Sequence, residues 1–226
     1  MRPSIALGRS LCWCLQLAVA VRLCAAEPRD PKRWEADIQA FEKQDREHPP
    51  RPGGVLFVGS SSIVRWKLDE AFPELGALNR GFGGSEVADS LYYADRIMLP
   101  YRPRIVVFYA GDNDTANGAS AEEVAENFAT LAEKIHTALP ETRLLFLAIK
   151  PSRSRWKLVE VQREANRLIA EQAKGSDYLE FVDVATPLLG DDGLPRRELF
   201  EDDELHINAA GYRIWNELLR SKLATP

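Results

Sequence analysis

Beyond residue 24 the chain has no cysteine. Its three, Cys12, Cys14 and Cys24, all fall at or before that point in a sequence of 226 residues, which excludes a disulfide-built scaffold and a thiolate metal site for the remainder. Stability there has to come from a packed core. Histidine is as rare: His48, His136 and His206 are far apart, so no imidazole cluster suggests a metal, and none is expected. Basic charge is in deficit, 29 lysines and arginines against 34 acids, which speaks against nucleic acid or an anionic membrane as the main partner. Long apolar runs are missing too. Leu11 to Val21 is broken by Gln16 and followed by Arg22, too short a stretch for a comfortable transmembrane span. No internal repeat is present. Gly81-Phe82-Gly83-Gly84 lacks the third glycine of a dinucleotide site, and no organic cofactor is expected.

What is present begins with a segment unlike the rest. Arg2 and Arg9 precede the apolar stretch, and Cys24-Ala25-Ala26 puts small residues before Glu27, the layout of a secretory signal. The expected division is a signal peptide over 1–26, a helical extension and linker over 27–53, and one domain over 54–226. A chain cleaved there carries 26 basic and 34 acidic side chains, a net charge of −8. It is expected to be exported, periplasmic or secreted, with no stable membrane insertion after cleavage. The composition, 45% apolar and 28% charged, is that of an ordinary globular domain.

Trp34, Ile38 and Phe41 recur at helical spacing, and His48-Pro49-Pro50-Arg51-Pro52 follows as a stiff connector. Val55-Leu56-Phe57-Val58 then reads as a buried strand that runs into Gly59-Ser60-Ser61-Ser62, a turn opening a helix. Ala77 to Arg80 predicts a short strand ending in a glycine-rich turn, and Val87, Leu91, Ala94 and Met98 a helix stopped by Pro100 and Pro103. Arg104 to Ala110 is the clearest strand, apolar throughout as in a parallel sheet covered on both faces. Ser120 and Glu123 form a capping box for a helix. A strand over Arg143–Ile149, a helix through Leu158 to Ile169, a strand over Tyr178–Val184 and a final helix complete the pattern. Strand and helix in such regular alternation mean a three-layer α/β/α domain around a parallel sheet.

In that architecture the strand ends share one rim, and the polar residues after each strand converge there. They are Ser60 to Ser62, Gly81 to Ser85, Gly111 to Asp114, Lys150 to Arg153, and Asp202, Asp203, His206 and Asn208. A serine hydroxyl attacks only when a base takes its proton. Of the histidines, His48 lies in the connector and His136 on the charged side of a helix, where a solvated ring is expected. His206 follows Asp203 by three residues, close enough for a carboxylate to orient the imidazole. An attack creates an oxyanion that preorganised donors must hold; Gly84 can offer a backbone N–H and Asn113 a side-chain amide. Each has a bland alternative as a turn or cap residue, and the residues alone leave the choice among Ser60, Ser61 and Ser62 open.

Taken in order, Gly59-Ser60-Ser61, Asn79-Arg80-Gly81-Phe82-Gly83-Gly84, Gly111-Asp112-Asn113-Asp114 and Asp203-Glu204-Leu205-His206 resemble the blocks of the SGNH (GDSL-like) hydrolase family, over roughly residues 54–222. The resemblance implies a flavodoxin-like five-stranded sheet in the order 2-1-3-4-5. It implies a triad of Ser61, His206 and Asp203, and an oxyanion hole of the Ser61 and Gly84 N–H groups with the Asn113 side chain. Ser60 departs from the family, which most often has Asp there; Ser60 and Ser62 then read as turn and cap residues. An α/β-hydrolase would need Gly-x-Ser-x-Gly, and Ile63 stands where its second glycine belongs.

The loops are short, which fits an open, shallow site for small acyl groups such as acetate. Trp66, Asp112, Lys150, Arg153 and Trp156 are placed to line it, although tryptophans at helical spacing also pack cores. The expected activity is an exported serine esterase acting on small acyl esters, on a carbohydrate or another small molecule. A lysophospholipase or thioesterase of the same mechanism is the alternative, and a non-catalytic binding protein on this fold a further one.

Overall fold

A computed structural model describes residues 29–224. The segment expected to act as a signal, with its three cysteines, lies outside the described residues. Five strands, β1 (Val55–Gly59), β2 (Leu78–Gly81), β3 (Ile105–Tyr109), β4 (Arg143–Leu147) and β5 (Leu179–Val182), form one parallel sheet in the order β2-β1-β3-β4-β5. Around it lie α1 (Glu35–Glu47), α2 (Ser61–Val64), α3 (Leu68–Ala71), α4 (Val87–Ile97), α5 (Asp112–Ala116), α6 (Ala121–Ala138), α7 (Val159–Ala173) and α8 (Ala209–Ala224).

The strands are apolar along their length because both faces are covered. Leu56, Val58, Val106, Phe108, Leu144 and Phe146 pack with Ile38 of α1, Ile97 of α4, Phe128 of α6 and Ile169 of α7. Phe57, Val107, Tyr109, Leu145 and Leu147 pack on the other side with Phe72, and with Trp215 and Leu219 of α8. Phe108 and Phe146 have no exposed surface, and burying a side chain of that size contributes roughly 1.5–3 kcal/mol.

Two local expectations change. The helix after β1 breaks within one turn, so α2 and α3 are separate and Val64 is left exposed. Trp66, in the connector between them, is buried against Phe57, Phe72, Tyr212 and Trp215 and belongs to the core. His136 is half-buried and stacks on Tyr178 at 3.8 Å, where a solvated ring was expected. The N-terminal stretch does form a helix on the body, with Ile38 fully buried.

Register places the functional rim. Gly59, the last residue of β1, is level with Gly81 on one side and Tyr109 on the other, so the loops after three strands leave the sheet side by side.

Candidate active site

Gly59 is what lets β1 end in a sharp turn. Its φ is +139, and a Cβ there would sit 1.9 Å from the Tyr109 carbonyl oxygen, a position open to glycine alone. The chain turns sharply, the Ser60 N–H donates to that same oxygen at 2.9 Å, and Ser61 becomes the first residue of α2. The first N–H groups of a helix have no acceptor inside it, so Ser61 carries both a hydroxyl and a backbone donor on the rim. Ser60 takes the N-cap position and Ser62 is buried.

His206 comes from the long segment between β5 and α8. Ser61 Oγ and His206 Nε2 are 3.0 Å apart, and His206 Nδ1 lies 2.6 Å from Asp203 Oδ2. The other carboxylate oxygen, Oδ1, accepts the Leu205 and His206 N–H groups, each at 2.9 Å. With Asp203 accepting the Nδ1 proton, Nε2 keeps its lone pair for the serine hydroxyl. The turn that makes this possible runs through Glu204 at φ +53, and the Glu204 carbonyl is held by the Ser154 N–H and hydroxyl. Partial burial by itself would raise the Asp203 carboxyl, but the imidazole and the two N–H donors hold it well below the usual carboxylate range. Just beyond, the Asn208 side chain caps α8 through the Ala210 and Gly211 N–H groups; it belongs to the frame.

The loop after β2 forms the opposing wall. A Cβ on Gly83 would lie 3.9 Å from that of Ser61. Gly84 has φ +87, and a Cβ there would come within 3.3 Å of the Trp34 ring. Trp34 immediately precedes α1; its indole N–H donates to Asp89 of α4 at 3.0 Å, and its ring meets Phe82 edge-on. The N-terminal segment therefore touches the site, which its sequence did not announce.

Asn113 ties the loops after β2 and β3 together, its Nδ2 donating to the Ser85 carbonyl at 3.0 Å. Asp114 adds two more ties, accepting the Val87 N–H at 2.9 Å and the Gly111 N–H at 3.0 Å. Burial pushes the Asp114 carboxyl up to about 7 despite those donors.

Of the residues expected to line the substrate side, two are buried. Lys150 and Asp112 are only 1% and 6% exposed. Lys150 Nζ donates to the Leu205 carbonyl at 2.7 Å and lies 3.6 Å from Asp112 Oδ2, so the pair sits behind the site. Burial drives the Lys150 ammonium below the ordinary lysine range, with Asp112 acting against it. Arg153 turns to the Pro195 carbonyl, and Trp156 is half-buried beneath Arg163. The arginine that reaches the rim is Arg155, whose Nη1 donates to Asp112 Oδ1 at 2.8 Å and to Asn113 Oδ1 at 3.2 Å. Two arginines two residues apart in one irregular loop offer no spacing that singles out either. Among the described residues no group of three or more His, Cys, Asp or Glu is placed to hold a metal, and no helix is long and apolar enough to cross a membrane.

The arrangement contains a hydroxyl bonded to an imidazole and an imidazole bonded to a carboxylate, the core of what acyl transfer requires. Comparison with known proteins agrees in kind. The sequence model of the GDSL-like Lipase/Acylhydrolase family matches residues 57–214. Human platelet-activating factor acetylhydrolase IB subunit alpha1 is 26% identical over 189 residues, 80% of this chain and 78% of that protein. A GDSL-like lipase of known structure from Bacteroides thetaiotaomicron aligns with a TM-score of 0.67 at 20% identity, covering 86% of this chain and 97% of that one. A mutant acetyl-xylooligosaccharide esterase from Geobacillus aligns at 0.61 and 16% identity, covering 78% and 96%. At those identities the solved structures show a shared fold.

Proposed function

The chain belongs to the GDSL-like lipase/acylhydrolase family, and from that premise we propose that it is an exported serine esterase which removes small acyl groups, acetyl foremost. The observation that carries the reading is the hydrogen-bonded chain from Ser61 through His206 to Asp203, at 3.0 and 2.6 Å. Ser61 Oγ attacks the ester carbonyl carbon while His206 Nε2 takes its proton. Negative charge then builds on the carbonyl oxygen, and the Ser61 and Gly84 N–H groups with the second proton of the Asn113 amide are the donors assigned to hold it. The tetrahedral intermediate collapses, the alcohol leaves with the proton from His206, and the acyl group remains on Ser61. Water, deprotonated by the same imidazole, attacks the acyl-enzyme and releases the acid. Asp203 stays ionised throughout and stabilises the imidazolium.

Support for acetyl comes from two sides. The names of the human relative and the Geobacillus structure both describe removal of acetyl groups. A cavity of about 260 Å³ with apolar lining from Ile149, Phe181 and Leu189 lies elsewhere, where neither Ser61 nor His206 reaches it, and Arg163, Arg167 and Asp183 share its walls, so it offers the triad no apolar channel for a long acyl chain. Export rests on the layout of residues 1–26.

Hydrolysis of p-nitrophenyl esters from acetyl to decanoyl, with Ser61→Ala in parallel, tests the activity. Turnover is expected to peak at acetyl and to vanish in the variant. Absence of serine-dependent turnover at any length overturns the esterase reading, and a maximum at long chains overturns the acetyl preference. The N-terminus of chain recovered from an exporting host tests the rest: a start at Glu27 is expected, and retention of residues 1–26 overturns cleavage.

A further inference from the structure

We propose that Arg155 is a positioning residue for Asn113: its guanidinium fixes which way the Asn113 amide faces and strengthens that amide as an oxyanion donor. The inference rests on the esterase reading for its catalytic consequence, and on the geometry alone for the placement.

A primary amide has two ends of similar shape, so only its partners decide which end points where. At Asn113 both ends are specified. Nδ2 gives one of its protons to the Ser85 carbonyl at 3.0 Å, and Oδ1 accepts from Arg155 Nη1 at 3.2 Å. Turned over, the amide would set its oxygen against the Ser85 carbonyl and its NH₂ against a guanidinium, two repulsions in place of two bonds. In the observed orientation the second Nδ2 proton stays available to a substrate oxygen. A cation on the oxygen end also draws electron density from the nitrogen end and makes that proton a better donor.

Arg155 is itself held. The same Nη1 also reaches the Asp112 carbonyl oxygen at 3.1 Å and Asp112 Oδ1 at 2.8 Å, so that its two protons are shared among three acceptors, and Gln162 Nε2 approaches that carboxylate oxygen at 3.3 Å. On its far side Asp112 faces Lys150, which is bonded to the carbonyl of Leu205, next to His206. One carboxylate is thus shared by two cationic side chains, one reaching the Asn113 amide and the other the histidine loop. The Lys150 end of the cluster faces the Asp203 carboxylate as well as Asp112, while Arg155 brings its positive charge up behind the Asn113 amide. A fixed charge there, partly shielded from water, favours the oxyanion more than the neutral ester.

The experiment has two readouts. In the first, the Asn113 side-chain amide resonances are assigned by their loss in Asn113→Ala and then followed in Arg155→Ala. A shift of both protons with faster solvent exchange is expected, and unchanged resonances overturn the placement even if no ester is turned over. In the second, Arg155→Ala is measured on p-nitrophenyl acetate in wild-type and Asn113→Ala backgrounds. In the wild type, loss of a charge-assisted bond that acts through a donor is expected to lower kcat on the order of 10-fold with KM little changed. In the Asn113→Ala background the same substitution should cost less than about twofold, since the group it acts through is gone. Equal losses in both backgrounds, or a rise in KM at constant kcat, overturn the role and leave the esterase reading standing. Arg155→Met, which keeps an unbranched stem of similar length and removes both the charge and the N–H donors, serves both readouts if Arg155→Ala does not fold.

Discussion

Asn113 is held at both ends, by the Ser85 carbonyl and by Arg155, and this costs it little freedom on meeting a substrate oxygen. Removing the amide should lower kcat by on the order of 10²-fold, the usual loss for one oxyanion donor. Asn113→Ala measured on p-nitrophenyl acetate checks this, and unchanged turnover in a folded variant removes Asn113 from the site. At this scale the sequence was legible wherever a residue's chemistry was tied to the end of a strand. Gly84, Asn113 and the Asp203–His206 pair stood out as candidates because each follows a strand or fits a short spacing, whereas the choice of Ser61 among three neighbouring serines came only from the family resemblance. Lys150 and Asp112, expected beside the substrate, are buried, because burial depends on what packs over a residue. Arg155 and Trp34 escaped notice for the same reason. The contact of Trp34 with Gly84 joins positions 50 residues apart through a turn whose path no local pattern specifies.

At the scale of elements, the alternation of apolar strands and amphipathic helices carried the sheet and its large helices, since a buried parallel strand shows itself as a continuous apolar run. The stretch between β5 and α8 was far less legible. It is built from single-turn segments, isolated bridges such as Phe200 with Ile207, and side chain to backbone bonds such as those from Asn208 to Glu198 and Phe200. None of these has a period. The N-terminal segment lies between the two cases: its helix was visible in Trp34, Ile38 and Phe41, its electrostatic seating was not. Arg96 of α4 receives Glu35 and Glu42, and Arg80 of β2, 1% exposed, pairs with Asp45 and bonds the Tyr101 hydroxyl at 2.9 Å. Asp45→Ala would leave the Arg80 charge buried without its carboxylate. Because Asp45 is partly exposed and Tyr101 remains, the expected cost is at the low end for a broken buried pair, about 3 kcal/mol. Urea unfolding midpoints of wild type and variant measure it, and a difference under about 0.5 kcal/mol would mean that water replaces the carboxylate freely.

For the whole molecule, carboxylates of opposite kinds set the response to acid. Glu35 is held down at about 2, chiefly by the hydrogen bond from Arg96. A carboxyl depressed in the fold contributes stability that is complete above its unfolded pKa and is lost as pH falls toward the folded value. Asp114 runs the other way. Its carboxyl is raised to about 7, first by burial and next, against the pull of the Val87 N–H, by nearby Glu86. The folded protein therefore holds a proton at Asp114 that the unfolded chain releases near pH 4. Wherever the folded state binds more protons than the unfolded one, stability falls as pH rises. Asp114 should thus lower stability progressively from about pH 4 to about pH 7 and contribute no further slope above. Asp114→Asn isolates the effect, because an amide stays neutral across that range and every other titrating group is common to both proteins. The stability of wild type minus that of the variant, from urea unfolding at intervals between pH 4 and 8, should decline toward pH 7 and then level off. A difference that stays flat, or rises, across the interval would show that the Asp114 carboxyl is ionised in the folded protein throughout, with the Val87 and Gly111 N–H groups outweighing its burial.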